Sequence, residues 1–227
     1  MNVSAVIPIR YGDCFNEDGA PRMRLAGHEL WEITLRQACE ATSLDQVVVA
    51  YDDERFLGHL KPWDDQIITC LRPKTLSGDN STTLDVLAFV AGWLSEQGIG
   101  ADYLMLLEIT HPLRPKGIID DLVGSTGAQN ADSLITSYPI HYNFWRRDEA
   151  GRMDRISGTG ENAEIGLYEE LTGICSMFRP RCLASDNPFG EQVDLVPIDR
   201  FWATIDVRDE DGCWLAEQYL KRLKITL

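Results

Sequence analysis

Arg10, Tyr11, Gly12 and Asp13 follow directly on the apolar run Val3–Ile9. A glycine lets backbone amides approach an anion, and an arginine grips oxyanions through paired N–H groups, so this loop suits phosphate. The competing reading is an ordinary turn with a surface arginine, because the loop has neither the GxxxxGK[ST] nor the GxGxxG spacing. Arg22 and Arg24 add two cations just ahead of the next helical stretch. Arg72-Pro73 closes another apolar run, and Ser81 and Thr83 stand where a helix should begin. Hydroxyls at a helix start can hold an anion or a base edge, and Ser81 or Thr82 can equally serve as plain caps. Glu108 ends the run Tyr103–Leu107, and Asp206 follows Phe201–Ile205, which reads as a strand end. Two carboxylates meeting at adjacent strand ends can share a Mg²⁺ whose octahedron phosphate oxygens complete. For Asp206, membership of the solvated acidic run Asp206–Asp211 is an equal alternative. His111, one of four histidines, sits in the loop after Leu107, where a histidine is more often incidental.

Positioning these residues at one place requires a sheet. Val3–Ile9, Gln46–Tyr51, Gln66–Leu71, Tyr103–Leu107 and Ser133–Ser137 read as strands rich in β-branched and apolar residues. Between them, Glu29–Thr42 and Leu84–Leu94 carry apolar residues at helical spacing, and Ile118–Val123 begins another helix. Strands alternating with helices imply an α/β, Rossmann-like, mostly parallel sheet with helices on both faces, whose ligands bind beyond the carboxyl ends of the strands. From 138 to 181 the pattern loosens into aromatic residues and turns such as Gly158-Thr159-Gly160, which predicts a small β-rich excursion serving as lid or dimer contact. Trp214–Leu223 reads as a closing helix. The length of 227 residues fits one domain with that excursion.

A net charge of −15 disfavours a nucleic-acid partner, while a few arginines in one cleft can still bind a small anion. No stretch approaches the roughly 18 apolar residues of a membrane span, and the start lacks the pattern of a signal peptide. The six cysteines show neither CxxC nor Cys/His spacing and read as reduced core thiols of a cytoplasmic protein.

Taken in order, these segments resemble the acylneuraminate (CMP-sialic acid) cytidylyltransferases. Val6-Ile7-Pro8-Ile9-Arg10 is similar to that family's opening strand and IPARxGSK motif. Leu25 to Leu30 resembles its LxGKPL step, and Arg72-Pro73 through Val86 its RPxxLAxDxAxxxDV segment. Thr110-His111-Pro112-Leu113-Arg114 looks like its QPTSPLR loop, with Glu108 at the glutamine and His111 at the serine. Ile205-Asp206 and Ala216-Glu217 resemble its closing acidic stretch. The resemblance implies transfer of CMP from CTP to the anomeric hydroxyl of an acidic 2-keto sugar, with release of pyrophosphate. It implies a Mg²⁺-dependent homodimer, with Arg10 and the following Tyr11 and Gly12 at the triphosphate and Arg22 assisting. Arg72, Ser81 and Thr83 would face the cytidine, and Glu108 and Asp206 the metal and the reacting centre. A carboxylate at Glu108 and the wording Arg10-Tyr11-Gly12 lean toward the related ketodeoxyoctonate cytidylyltransferases.

Departures are equally specific. Gly12-Asp13-Cys14 stands where the family has Gly-Ser-Lys, which removes a phosphate-binding lysine, and Thr204 replaces the first acid of the closing stretch. Two other readings therefore stand beside the first. One is a relative that binds a nucleotide or partner without catalysis. The other is a nucleotidyltransferase acting on a sugar 1-phosphate with another base.

Overall fold

The computed structural model describes the chain except Asp18, Ala20, Asp79, residues 126–129, His141, residues 158–166 and residues 225–227. The turn expected at Gly158-Thr159-Gly160 lies outside the described residues. In chain order the elements begin with β1 (Val3–Ile9), α1 (Tyr11–Cys14), β2 (Arg24–Leu25), β3 (His28–Glu29), α2 (Leu30–Glu40) and β4 (Gln46–Tyr51). There follow α3 (Leu57–Leu60), β5 (Ile68–Leu71), α4 (Thr83–Glu96), β6 (Tyr103–Leu106), α5 (Ile118–Val123) and β7 (Ser133–Ile140). The chain closes with β8 (Asn143–Arg147), β9 (Met153–Ser157), β10 (Leu167–Glu170), α6 (Thr172–Cys175), β11 (Met177–Phe178), α7 (Pro180–Leu183), β12 (Val193–Pro197) and α8 (Glu210–Leu223).

One sheet of eight strands runs β10-β7-β11-β6-β1-β4-β5, with β12 on the other edge of β7. The pairs β1–β4, β1–β6, β4–β5 and β7–β12 are parallel, while β10 and β11 return antiparallel. Both faces are covered, as the near-continuous apolar runs require. Val3, Ala5, Ile7 and Ile9 pack with Leu30, Ile33 and Leu35 of α2 and with Ala216 and Leu220 of α8. Val6, Val48, Ala50 and Leu104 pack with Val86, Leu87, Val90 and Leu94 of α4 on the opposite face. Pro8 is tolerated inside β1 for a geometric reason. Val6 presents its carbonyl to Leu107 on the β6 side, and Pro8, two residues on, faces the same way beyond the last β1–β6 pair, where no donor is needed.

The loosened stretch is an excursion only in part. β7 extends to Ile140, and β10 and β11 belong to the main sheet, so the separate ribbon is the β8–β9 hairpin. Strands of four and two residues are too short to show a period, and their order comes from pairing with β7 and β6. No strand is expected at β12, whose Val193, Asp194 and Leu195 are exposed on an edge strand. Phe201–Thr204, expected as a strand, is a 3₁₀ turn closed by Ala203 N to Arg200 O (2.9 Å) and Thr204 Oγ1 to Phe201 O (2.9 Å). No described helix is long and apolar enough to cross a membrane.

Asp120 on α5 ties that helix to the α2–β4 connection. It accepts from the backbone of Thr42 and Ser43 (2.9 Å each) and from the Ser43 hydroxyl (2.6 Å), and these bonds hold its carboxyl below the usual range. Asp120→Ala should lower stability by about 1–2 kcal/mol at neutral pH. A depressed carboxyl stabilises only while ionised, so the contribution is complete above its ordinary pKa of about 4 and fades as pH falls through the folded value. Denaturant midpoints of the two proteins should therefore converge as the pH falls below the depressed folded value. A gap that persists there would show that the charge is not what holds the junction.

Candidate active site at the carboxyl edge of the sheet

Because β1, β4, β5 and β6 are parallel, their carboxyl ends emerge along one edge. They deliver Arg10, Asp52, Arg72 and Glu108 to it. The residues after β1 fold into the single helical turn α1, whose first amide, Tyr11 N, donates to Asp52 Oδ1 at 2.8 Å. That amide is thus engaged by protein. The Tyr11 ring is buried beneath the Arg55 guanidinium, 4.1 Å from its centroid. Gly12 is exposed, with open space where a side chain would begin, so its value is access and not a special dihedral. Arg22 is exposed and donates to the Gly12 carbonyl, which ties the Pro21–Arg24 segment to this loop. Arg10 faces the cleft edge beside Asp13, 3.7 Å away.

Arg72 is more deeply set than a surface ligand group, with its side chain 4% exposed between Asp52 (3.9 Å) and Ser77 Oγ (3.3 Å). Asp52 thus touches both the first loop and Arg72. It was missed in the sequence, although an acid directly after the strongest β-branched run was visible there. At the start of α4 the cap is Thr82, in a reciprocal capping box with Asp85. That frees the neighbouring hydroxyls. Ser81 Oγ is shielded from solvent without a hydrogen-bond partner, and Thr83 donates to the Glu108 carboxylate.

Glu108 sits where three elements meet. Its backbone N–H donates to Gly173 O (2.8 Å), and its Oε2 lies 3.8 Å from His111 Nδ1. Arg114, buried beneath them, donates to Glu108 O (2.7 Å), Gly173 O (3.1 Å), Ile174 O (2.5 Å), Thr34 Oγ1 (3.2 Å) and Gln37 Oε1 (3.1 Å). It therefore clamps the β6 loop, α6 and α2 together. Gly173 is required by proximity: a Cβ there would fall 2.5 Å from Glu108 Oε2 and 2.8 Å from His111 Nδ1. No sequence signal marks Gly173, because its neighbours arrive from sixty residues away. Burial pushes the Glu108 carboxyl up, Asp206 adds to the rise, and the Thr83 hydrogen bond opposes it. Burial pushes the His111 imidazolium down to about 4, so the ring is neutral at pH 7. The ring packs against Glu108.

Asp206 reaches this group from the far end of the chain. The amide of Val207 donates to Thr110 O (2.7 Å), which pins the segment beside the β6 loop and puts Asp206 within electrostatic reach of both Glu108 and His111. Asp206 Oδ2 accepts from Arg208 Nε at 2.5 Å, whereas Oδ1 is shielded and has no hydrogen-bond partner. Asp206 is half-buried, whereas Asp209, Glu210 and Asp211 further along the run are exposed: Asp209 caps α8 through Gly212 N (2.8 Å), and Glu210 and Asp211 sit in its first turn. Among the described residues no group of three or more His, Cys, Asp or Glu side chains could hold a metal unaided. Mg²⁺ does not need one, since it takes one or two carboxylates and fills its sphere with water and phosphate oxygens.

No protein family and no curated relative matches the sequence. Solved structures do. The 4-diphosphocytidyl-2C-methyl-D-erythritol synthase of Anaerococcus prevotii is 15% identical, with a TM-score of 0.68 over 97% of this chain and 99% of that one. CMP:2-keto-3-deoxy-manno-octonic acid synthetase complexed with CTP is 16% identical, with a TM-score of 0.63 over 99% of this chain and all of that one. This chain has their α/β fold. At such identities the likeness reaches the architecture, over nearly the full length of each chain, and the side chains at the carboxyl edge carry the rest.

Proposed function

We propose that this chain is a cytidylyltransferase that moves CMP from CTP to a hydroxyl of an acidic 2-keto sugar and releases pyrophosphate. The observation that carries the reading is the convergence of Arg10, Arg72, Ser81, Glu108 and Asp206 on one sheet edge, in a fold shared with two synthases whose names contain cytidine phosphates. The acidic keto sugar is supported by the second of them together with the order of motifs along the chain.

In this reading Arg10 and Gly12 hold the triphosphate, with Arg22 bracing the loop through the Gly12 carbonyl. Arg72, fixed by Asp52 and Ser77, and Ser81 face the nucleoside. Mg²⁺ would be held by Asp206 through its unpartnered Oδ1 and by Glu108, and would neutralise phosphate charge. Thr83, His111 and Arg114 fix the Glu108 carboxylate and its loop. In-line displacement at the α-phosphorus then depends on alignment and on preset charges and not on a covalent intermediate with the protein. The β8–β9 hairpin exposes Phe144, Trp145 and Met153, with Tyr142 just before it, which supports a homodimer formed through it; a monomer by sedimentation at micromolar concentration would count against that pairing.

The direct test is pyrophosphate release with CTP, UTP, ATP and GTP against a panel of acidic keto sugars and sugar phosphates. CTP with a keto acid should react. Release only with a phosphate acceptor, or only with another nucleotide, would replace this reading with another nucleotidyltransferase. Binding of CTP without release would leave a non-catalytic binding protein.

Ser81 gives a sharper prediction. Its hydroxyl is shielded and unpartnered, so Ser81→Ala should leave the melting temperature unchanged or slightly raised. The same change should weaken CTP binding about tenfold if the hydroxyl is completed by the nucleoside. Titration calorimetry decides it, and an unaltered CTP affinity would remove Ser81 from the site.

A further inference from the structure

Three arginines at the carboxyl edge each face an aspartate. Arg10 stands 3.7 Å from Asp13, Arg72 3.9 Å from Asp52, and Arg208 2.5 Å from Asp206. The three differ in freedom. The Arg72 side chain is enclosed, Arg10 is about one-third exposed, and Arg208 is 69% exposed. The backbone around Arg208 is nonetheless fixed, by Val207 N on Thr110 O before it and by the Asp209 cap of α8 after it. A solvated guanidinium on a fixed base can turn without disturbing the fold.

Arg208 also occupies a particular place. Besides Asp206 it lies within electrostatic reach of Glu108 on the β6 loop and of Asp13 on the first loop. It therefore lies within electrostatic reach of both the carboxylates that suit a cation and the loop that suits phosphate. The first loop itself offers one arginine, already beside an acid, and no lysine. An exposed ion pair contributes little net free energy, so the Arg208 contact with Asp206 can be exchanged for another partner.

We propose that Arg208 is a phosphate-binding residue of this site: it neutralises Asp206 until a divalent cation bound to a triphosphate takes that carboxylate, and then turns its guanidinium to the phosphate oxygens. The proposal rests on the nucleotidyltransferase reading above. Exchange of this kind would keep the empty cleft near neutral and couple cation entry to the capture of phosphate, the planar fork of arginine suiting both partners.

The test uses the intact chain and two variants, Arg208→Gln and Arg208→Lys, with Mn²⁺ alone, inorganic tripolyphosphate with Mg²⁺, and CTP with Mg²⁺ as probes. Arg208→Gln should bind bare Mn²⁺ several-fold more tightly, because the competing cation is gone, and tripolyphosphate roughly tenfold more weakly. Arg208→Lys should recover most of the tripolyphosphate affinity. A role confined to surface pairing would move neither quantity. Loss of one positive charge from the cleft as a whole would also shift the two probes in opposite directions, so the titrations are repeated at about 0.5 M salt, where screening removes a long-range effect; a tripolyphosphate difference that vanishes there overturns the proposal. Unchanged Mn²⁺ affinity or unchanged tripolyphosphate affinity in Arg208→Gln, with the parent protein binding both probes, overturns the proposal alone. Failure of the parent protein to bind tripolyphosphate and CTP overturns the nucleotidyltransferase reading, and this proposal with it.

Discussion

Asp206→Asn is expected to lower pyrophosphate release by about 10²–10³-fold while shifting the melting temperature by less than ~2 °C. The asymmetry follows from how the carboxylate is held. Its Oδ2 is paired with an exposed arginine, an interaction of small net worth, so an amide of the same shape disturbs the fold little. Its Oδ1 is shielded beside Glu108 with no partner in the protein, an arrangement suited to an acceptor that a bound cation completes. A neutral amide keeps the shape and loses the charge. Turnover measured across Mg²⁺ concentrations provides the check. Turnover equal to that of the parent protein at limiting Mg²⁺ would sink the ligand role, and a large drop in melting temperature would show that Asp206 acts structurally.

Gly173→Ala should reduce kcat by about 10²-fold, with a stability loss of about 1–3 kcal/mol. A methyl group there would lie 2.5 Å from Glu108 Oε2, and Glu108 cannot retreat freely because Thr83, His111 and the Arg114-bound loop enclose it. The displacement required is only a few tenths of an ångström to about an ångström, enough to misplace a group that must be aligned with the reacting phosphate. The effect should depend on Glu108 itself. In a Glu108→Ala background, adding Gly173→Ala should cost little further activity, because the tightest clash has gone with the carboxylate and the His111 ring, 2.8 Å from the new methyl, can shift into the space left. Equal losses in both backgrounds would mean that Gly173 acts on α6 packing and not through Glu108.

The core strands and the half of the site that hangs on them were legible in the sequence. β1, β4 and β6 are buried on both faces, so they must be continuous apolar runs, and such runs are visible without a partner. In a parallel sheet the residues after those runs share one edge, which is why Arg10, Arg72 and Glu108 could be placed together before any coordinates. Asp52 obeys the same rule and was legible in principle.

What the tertiary structure alone decided is everything that reaches the edge from a distance. β10 and β11 acquire strand geometry only through pairing, so α6 and Gly173, carried between them, had no local signature. Ser81 and Thr82 are equivalent as caps in sequence; the capping box with Asp85 gives the role to Thr82 and leaves Ser81 shielded and unpartnered. For Asp206 a place beside Glu108 and membership of the acidic run Asp206–Asp211 are equal readings of the sequence; Val207 N to Thr110 O sets the segment against the β6 loop, and brings Arg208 there with it. Periodicity reports burial against the bulk of the sheet, whereas a site depends on a few long-range contacts that leave no repeating trace along the chain.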